Sequence, residues 1–318
     1  MNDGFIAGID LGGTKILSVC LDADFNVIAR DYRETGAQDG PEAVIERMAA
    51  SLRAAAAGRP VRGIGISTPG PVDLNRGVVT TPPNLPGWRD VPLARLVSEK
   101  LGIPAWIEND ANAAAVAEHR LGAGRGSRHM ILVAVGTGVG GGLILDGRLY
   151  RGASGGAGEV GHMIVDPGGQ ICGCGRAGCL EAVASGRALD RAAAEIAAAE
   201  PQGLVAQVAG REGVAPDARI LDLAAAAGDT AAQAAIRRAG TFLGAGLTNL
   251  VNLFNPEVIV VGGSVRKSEL YLQTAIYVMQ RDAFAQHKAD VRVVEAALGD
   301  EAPAIGAALV ALDRLREP

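Results

Sequence analysis

No stretch of this 318-residue chain offers the roughly 20 uninterrupted apolar residues that a membrane-crossing helix needs, although 48% of its residues are hydrophobic. Nor do its first residues form a basic-then-apolar leader. They run directly into a strand-like segment, so no export signal and no membrane are expected, and the cytoplasm is the expected compartment. Positive charge is also in short supply: the formal net charge is -5, without the clustered Lys and Arg that a nucleic-acid surface requires. That balance does not exclude a single nucleotide, which needs only a few donors and a metal ion. Cysteine is scarce too, with four in all, three of them between Cys172 and Cys179. In a chain without an export signal such crowding favours a metal over disulfides, and Cys20, outside the cluster, reads as a core thiol.

What the chain does have is apolar material for two domain cores and an alternation of strands with helices. Phe5 to Leu21 reads as strand, glycine turn, strand. Pro41 to Ala57 has helical composition, with Pro near its start and Gly58 at its end, and Val61 to Ser67 is a short buried-strand pattern. Thr68 to Trp88 is rich in Pro and Gly and reads as loop. Ala105 to Glu108 predicts a strand, followed by a helix ending near Gly122. Met130 to Val135 and Leu143 to Leu145 predict strands on either side of a second glycine run. Arg187 to Phe254 reads as mainly helical, broken around Pro201 and between Gly210 and Pro216. Val258 to Val261 predicts another strand, and Pro303 to Leu315 a closing helix. Two halves opening on similar glycine hairpins predict two α/β domains around a cleft. The expected boundaries are a small domain over 1–112, joined by the C-terminal helix at about 301–318, and a large domain over 113–300.

The first glycine turn lies in Gly8-Ile9-Asp10-Leu11-Gly12-Gly13-Thr14-Lys15. Gly12 and Gly13 let backbone N–H groups approach phosphate oxygens, Thr14 and Lys15 add donors, and Asp10 can orient a hydrated magnesium ion. A tight hairpin without a ligand is the alternative. Gly136-Thr137-Gly138-Val139-Gly140-Gly141-Gly142 holds no bulky side chain that would block a phosphate. It lacks the Lys-Ser/Thr ending of a P-loop, and no helix clearly follows it, so its meaning depends on pairing with the first turn. Glu108-Asn109-Asp110 sits at the mouth of a strand before an apolar helix. Asp110 reads either as a helix cap or, at a cleft, as the general base for a substrate hydroxyl attacking a γ-phosphate.

Glu159 to Glu181 is the most specific segment. His162, Cys172, Cys174 and Cys179 make the closed four-ligand set of structural zinc, and nine residues between His162 and Cys172 allow the loop to fold back. Small buried thiols are the alternative. Glu159 and Glu181 bracket this loop, so a metal there would fix both carboxylates. A polyol needs many donors and acceptors on one surface, and Asn84, Asn109, Asp110, Glu159, His162 and Glu181 supply those types. His162 can serve sugar and metal through different ring nitrogens.

Taken in order, Asp-Leu-Gly-Gly-Thr-Lys, Glu-Asn-Asp-Ala-Asn-Ala-Ala, Gly-Thr-Gly-Val-Gly-Gly-Gly, Glu-Val-Gly-His and Cys-Gly-Cys-Gly-Arg-Ala-Gly-Cys-Leu-Glu span nearly the whole chain. In this the sequence resembles the ROK family of sugar kinases, sugar-responsive repressors and open reading frames, and within it the bacterial glucokinases. The resemblance implies an actin-like (ribonuclease H-like) ATPase fold, ATP, Mg2+ and structural Zn2+, and a homodimer or homotetramer. It implies phosphorylation of glucose at the 6-hydroxyl, with fructose, mannose, N-acetylglucosamine or N-acetylmannosamine as alternative sugars. By the family pattern Asp110 is the catalytic base, and Asn84, Asn109, Asp110, Glu159, His162 and Glu181 fall at sugar contacts. His162, Cys172, Cys174 and Cys179 fall at zinc ligands, and Gly12, Gly13, Thr14, Lys15, Gly136, Thr137 and Gly138 at the phosphate turns. Gly262 and Gly263 match the turn near the adenosine, with Ser264 where a third glycine is common. A repressor of this family would need a DNA-binding helical module before the first hairpin. Only about five residues precede that strand, so the kinase is the expectation.

Overall fold

The computed structural model describes residues 4–317. The chain forms two compact units: one takes in residues up to Arg128, Gly142–Gly158 and everything from Ala297, the other His129–Gly141 and Glu159–Ala296. Among the described residues no helix is long and apolar enough to cross a membrane.

The first unit is built on a five-stranded sheet. Its strands are β1 (Phe5–Leu11), β2 (Lys15–Leu21), β3 (Val27–Glu34), β4 (Val61–Thr68) and, after a small ribbon of β5 (Val72–Asp73) and β6 (Val78–Val79), β7 (Ala105–Asn109). The sheet order is β3-β2-β1-β4-β7, with β1 antiparallel to β2 and parallel to β4. Strands β1, β2 and β4 are buried along nearly their whole length, which is why they read as mainly apolar runs rather than as alternating patterns. The edge strand β3 alternates half-buried and exposed positions instead. One face carries α1 (Gly40–Ala56), which buries Val44, Ile45, Met48, Ala49, Leu52 and Ala55 at helical spacing. Helices α2 (Leu93–Leu101) and α3 (Asp110–Leu121) follow β6 and β7. The segment expected to be loop from Thr68 to Trp88 thus contains a short β-ribbon, closed by backbone bonds between Val79 and Val91.

The second unit is centred on β8 (Met130–Val135), flanked by β9 (Val139–Leu145) and by the parallel strand β11 (Val258–Gly262), with β12 (Arg292–Glu295) beyond. β9 carries the chain back into the first unit, where its end pairs antiparallel with β10 (Arg148–Tyr150). Between these strands lie α4 (Leu180–Ala184), α5 (Gly186–Ala199), α6 (Leu204–Glu212), α7 (Ala218–Ala226) and the long α8 (Thr230–Phe254), then α9 (Glu269–Asp282) and α10 (Ala285–Lys288). Asp229 caps α8 by accepting from Ala232 N at 2.8 Å, and Asn255 ends it in a left-handed conformation.

The closing helix α11 (Ala302–Arg316) lies in the first unit against β1, β4 and α3, buried from Ala304 to Leu312. Its closeness depends on missing side chains. A Cβ on Gly8 or Gly65 would come within 1.8 Å of a carbonyl oxygen of Ala304 or Ala307, and one on Gly306 within 1.7 Å of Ala113 O. Small residues on both surfaces thereby let helix and sheet backbones touch directly.

Candidate functional site

The first unit gathers polar groups at the carboxyl ends of β1, β4 and β7, the edge where parallel strands present ligand sites. Strand register places Asp10 beside Ser67, and Ser67 beside Glu108. Asp10 is 8% exposed and accepts a hydrogen bond from Ser67 Oγ at 2.9 Å. Burial pushes its carboxyl from 3.8 up to about 7; the Ser67 bond pulls it back, Asp110 and Asp300 raise it by their charge, and Lys15 lowers it. The neutral form is therefore favoured in the fold. Without bound metal, stability should fall as pH rises from 3.8 to about 7 and level off above. The loss expected is on the order of a few kcal/mol. Urea unfolding at stepped pH should show this slope in the parent and a shallower one in Asp10→Asn, and an unchanged slope in the variant would assign it elsewhere.

The turn after β1 is braced from beneath by a residue that its motif does not include. Gly12 N donates to Lys15 O at 2.8 Å, while Thr35 donates its Oγ1 hydrogen to Gly12 O at 2.7 Å and its N–H to Thr14 O at 2.9 Å. Thr14 is exposed at the tip. Asn84 packs over the turn, where a Cβ on Gly13 would meet its Cβ at 2.9 Å. Lys15 Nζ lies 3.7 Å from Asp300 Oδ2, with solvent around both.

β7 runs into α3 without a loop, and Asn109 rather than Asp110 caps the helix. Asn109 Oδ1 accepts from Ala111 N at 3.0 Å and from Asn112 N at 3.2 Å. Asp110 occupies the first turn, where the helix dipole favours a carboxylate, and its Oδ1 accepts from Ala111 N at 2.8 Å. Behind them Glu108 is 2% exposed. Its Oε1 accepts from Asn109 N at 3.1 Å and from Asn112 Nδ2 at 3.0 Å. Its Oε2 accepts from Arg151 Nε at 2.8 Å and lies 2.7 Å from Arg151 Nη2.

In the second unit Gly136 to Gly138 form a compact bend. Gly136 N donates to Gly138 O at 2.9 Å and Gly136 O accepts from Gly186 N at 2.7 Å, while Thr137 is exposed. Glu181 reaches this bend: its Oε2 accepts from Val139 N at 3.0 Å, and a Cβ on Gly138 would lie 2.3 Å from it. Its other oxygen is 3.6 Å from Cys172 Sγ.

The ligand atoms of His162, Cys172, Cys174 and Cys179 all lie within 4.8 Å of one another. Cys172 Sγ is 3.8 Å from His162 Nδ1, and Cys174 Sγ is 3.6 Å from Cys179 Sγ. The other ring nitrogen, Nε2, lies 4.0 Å from Glu159 Oε2, so the two nitrogens of His162 have different neighbours. Burial pushes the Cys172 thiol up to about 12 and raises Cys179, whereas the backbone N–H of Arg176 draws Cys174 down. Three sulfurs and one imidazole nitrogen this close are the donor chemistry of a tetrahedral structural zinc, with no position left open for a reactant.

Gly262 ends β11 and Gly263 follows it. Gly263 has φ +86°, and its backbone passes so close to Val135 that a Cβ would sit 2.2 Å from that carbonyl oxygen. Arg266 clamps this turn by donating from Nη1 to Gly263 O at 2.9 Å, another contact the glycine motif alone did not disclose.

Two mixed α/β sheets, each with a strand, glycine turn and strand, define an actin-like (ribonuclease H-like) ATPase fold, as the resemblance implied. The chain belongs to the ROK family, whose model matches residues 6–314. It is 37% identical to a protein of Streptomyces coelicolor named glucokinase, over 99% of this chain and 98% of that one. It is 33% identical to the xylose repressor of Caldicellulosiruptor bescii, over 99% of this chain and 80% of that one. Among solved structures, a ROK family glucokinase from Streptomyces griseus in complex with glucose and AMPPNP superposes with a TM-score of 0.85 at 37% identity, covering 98% of this chain and 100% of that one.

Proposed function

We propose that this chain is an ATP-dependent hexose kinase that phosphorylates glucose at its 6-hydroxyl, with Asp110 as general base. The carrying observation is the place of Asp110: a carboxylate in the first turn of α3, electrostatically coupled to the buried Asp10 at the end of β1. The similarity to proteins named glucokinase, one of them solved with glucose and AMPPNP, supports both the sugar and the nucleotide.

Asp110 accepts the hydroxyl proton as the sugar oxygen attacks the γ-phosphorus. The bond to the bridging oxygen breaks and ADP leaves, so that phosphoryl transfer depends chiefly on positioning and electrostatics. Gly12, Gly13, Thr14 and Lys15 form the first phosphate turn and Gly136, Thr137 and Gly138 the second, and Gly262 and Gly263 adjoin the adenosine. Asn84, Asn109, Glu159, His162 and Glu181 hold the remaining hydroxyls. Asp10 holds the hydrated magnesium ion, which supplies positive charge to offset the phosphates. His162, Cys172, Cys174 and Cys179 hold structural zinc, which keeps Glu159 and Glu181 in place. The chain works in the cytoplasm as a homodimer or homotetramer, without nucleic acid or membrane.

Initial rates with Mg-ATP across glucose, fructose, mannose, N-acetylglucosamine and N-acetylmannosamine test the proposal. Glucose should give the highest kcat/KM. A higher value for another of these sugars would move the specificity while keeping the chemistry. Sugar binding without phosphorylation of any of them would favour a sensor, as the likeness to the xylose repressor allows.

A further inference from the structure

We infer that Arg151 is a positioning residue for phosphoryl transfer, holding through Glu108 the turn that presents Asn109 and Asp110. This rests on the reading of Asp110 as the base. Glu108 is the residue before Asn109, and both of its carboxylate oxygens are fully engaged. One is held by the Asn109 N–H and the Asn112 amide, the other by Arg151 Nε, with Nη2 2.7 Å away. At 2% exposure the carboxylate has no solvent to fall back on, and the guanidinium is the positive charge these contacts supply.

Arg151 itself opens the loop that leads to Glu159. The loop closes on its own backbone, with Ala157 N donating to Arg151 O at 3.1 Å, and turns at Gly152, Gly155 and Gly158, all at positive φ. Arg151 therefore ties a glycine-hinged loop to the end of β7, one residue from a proposed sugar contact and two from the proposed base. Its side chain is 31% exposed, while the core of the first unit is made by α11, α1 and the sheet. Removing it should consequently loosen the turn without unfolding the unit. Small displacements of a reacting group are costly, since a misplacement of about 1 Å can lower a rate by about 100-fold.

The experiment compares parent, Arg151→Met, Arg151→Lys and the double variant Glu108→Gln/Arg151→Met, reading kcat, KM for sugar and ATP, and the melting temperature. Arg151→Met should lose roughly 10- to 100-fold in kcat measured well below its melting point, with KM for ATP changed less than about threefold and a lowered melting temperature that the double variant partly restores. Arg151→Lys should restore part of the rate. The double variant should exceed Arg151→Met, because a neutral amide at 108 no longer needs the cation. Parent-like kcat in Arg151→Met, or a loss that Glu108→Gln does not relieve, would overturn the inference. If Asp110→Asn is inactive while Arg151→Met is parent-like, only this inference fails. A parent that phosphorylates no hexose overturns both.

Discussion

Asp110→Asn is expected to lower kcat for glucose phosphorylation by roughly 100- to 10,000-fold, the range a positioned general base contributes, while sugar still binds. Asn keeps the shape of the side chain, and its Oδ1 can still accept from Ala111 N, as Asp110 does at 2.8 Å. The helix start survives as well, because Asn109 and not residue 110 carries the cap. What disappears is the proton acceptor, together with a negative charge that raises the pKa of Asp10. A coupled assay for ADP release and calorimetry with sugar separate the two effects. Loss of rate with retained binding is the expected pattern, and a near-parent rate would assign the base elsewhere.

Cys172→Ser should have the largest effect on stability. Cys172 is buried, touches His162 Nδ1 and lies 3.6 Å from Glu181, so it joins the ligand cluster to a proposed sugar contact. A hydroxyl does not replace a thiolate as a zinc ligand, and metal binding in such loops is itself folding energy. Metal analysis should find about one zinc per chain in the parent and little in the variant. The variant should melt lower and show a raised KM for sugar, because Glu181 and Glu159 lose their anchor. Effects at the glycine bend are expected too, since Glu181 also accepts the Val139 N–H. Freshly purified parent protein without zinc would remove the metal from the account.

How much of this was legible in the sequence depended on whether a signal was local. The hairpin around Gly12 and Gly13, the buried strands β4, β8 and β11 and the helix breaks near Pro201 and Gly213 all announce themselves within a few residues. The same holds for His162 and the three cysteines, whose spacing over 18 positions already foretold a cluster that the fold closes to 4.8 Å. Edge elements were not legible. β3 carries Arg30, Asp31, Arg33 and Glu34, so its alternation looks like a polar segment until a neighbouring strand supplies the buried face.

Long-range polar partners were illegible for a different reason. Arg151 lies 43 positions from Glu108, and Thr35 lies 23 from Gly12; neither separation has a sequence signature. Glu118 is the clearest example. In sequence it looks like the polar side of an alanine-rich helix, yet it is fully buried and accepts N–H bonds from Ala123, Ala297 and Leu298, where the returning chain meets α3. A buried carboxylate satisfied by backbone donors is set by topology, which composition and periodicity do not encode.

The most direct measurement is a crystal structure of the chain with glucose and a non-hydrolysable ATP analogue. An Asp110 carboxylate oxygen is expected about 3 Å from the 6-hydroxyl, with the γ-phosphorus on the far side of that hydroxyl oxygen. An Asp110 carboxylate turned away from every sugar hydroxyl would contradict its role as the base.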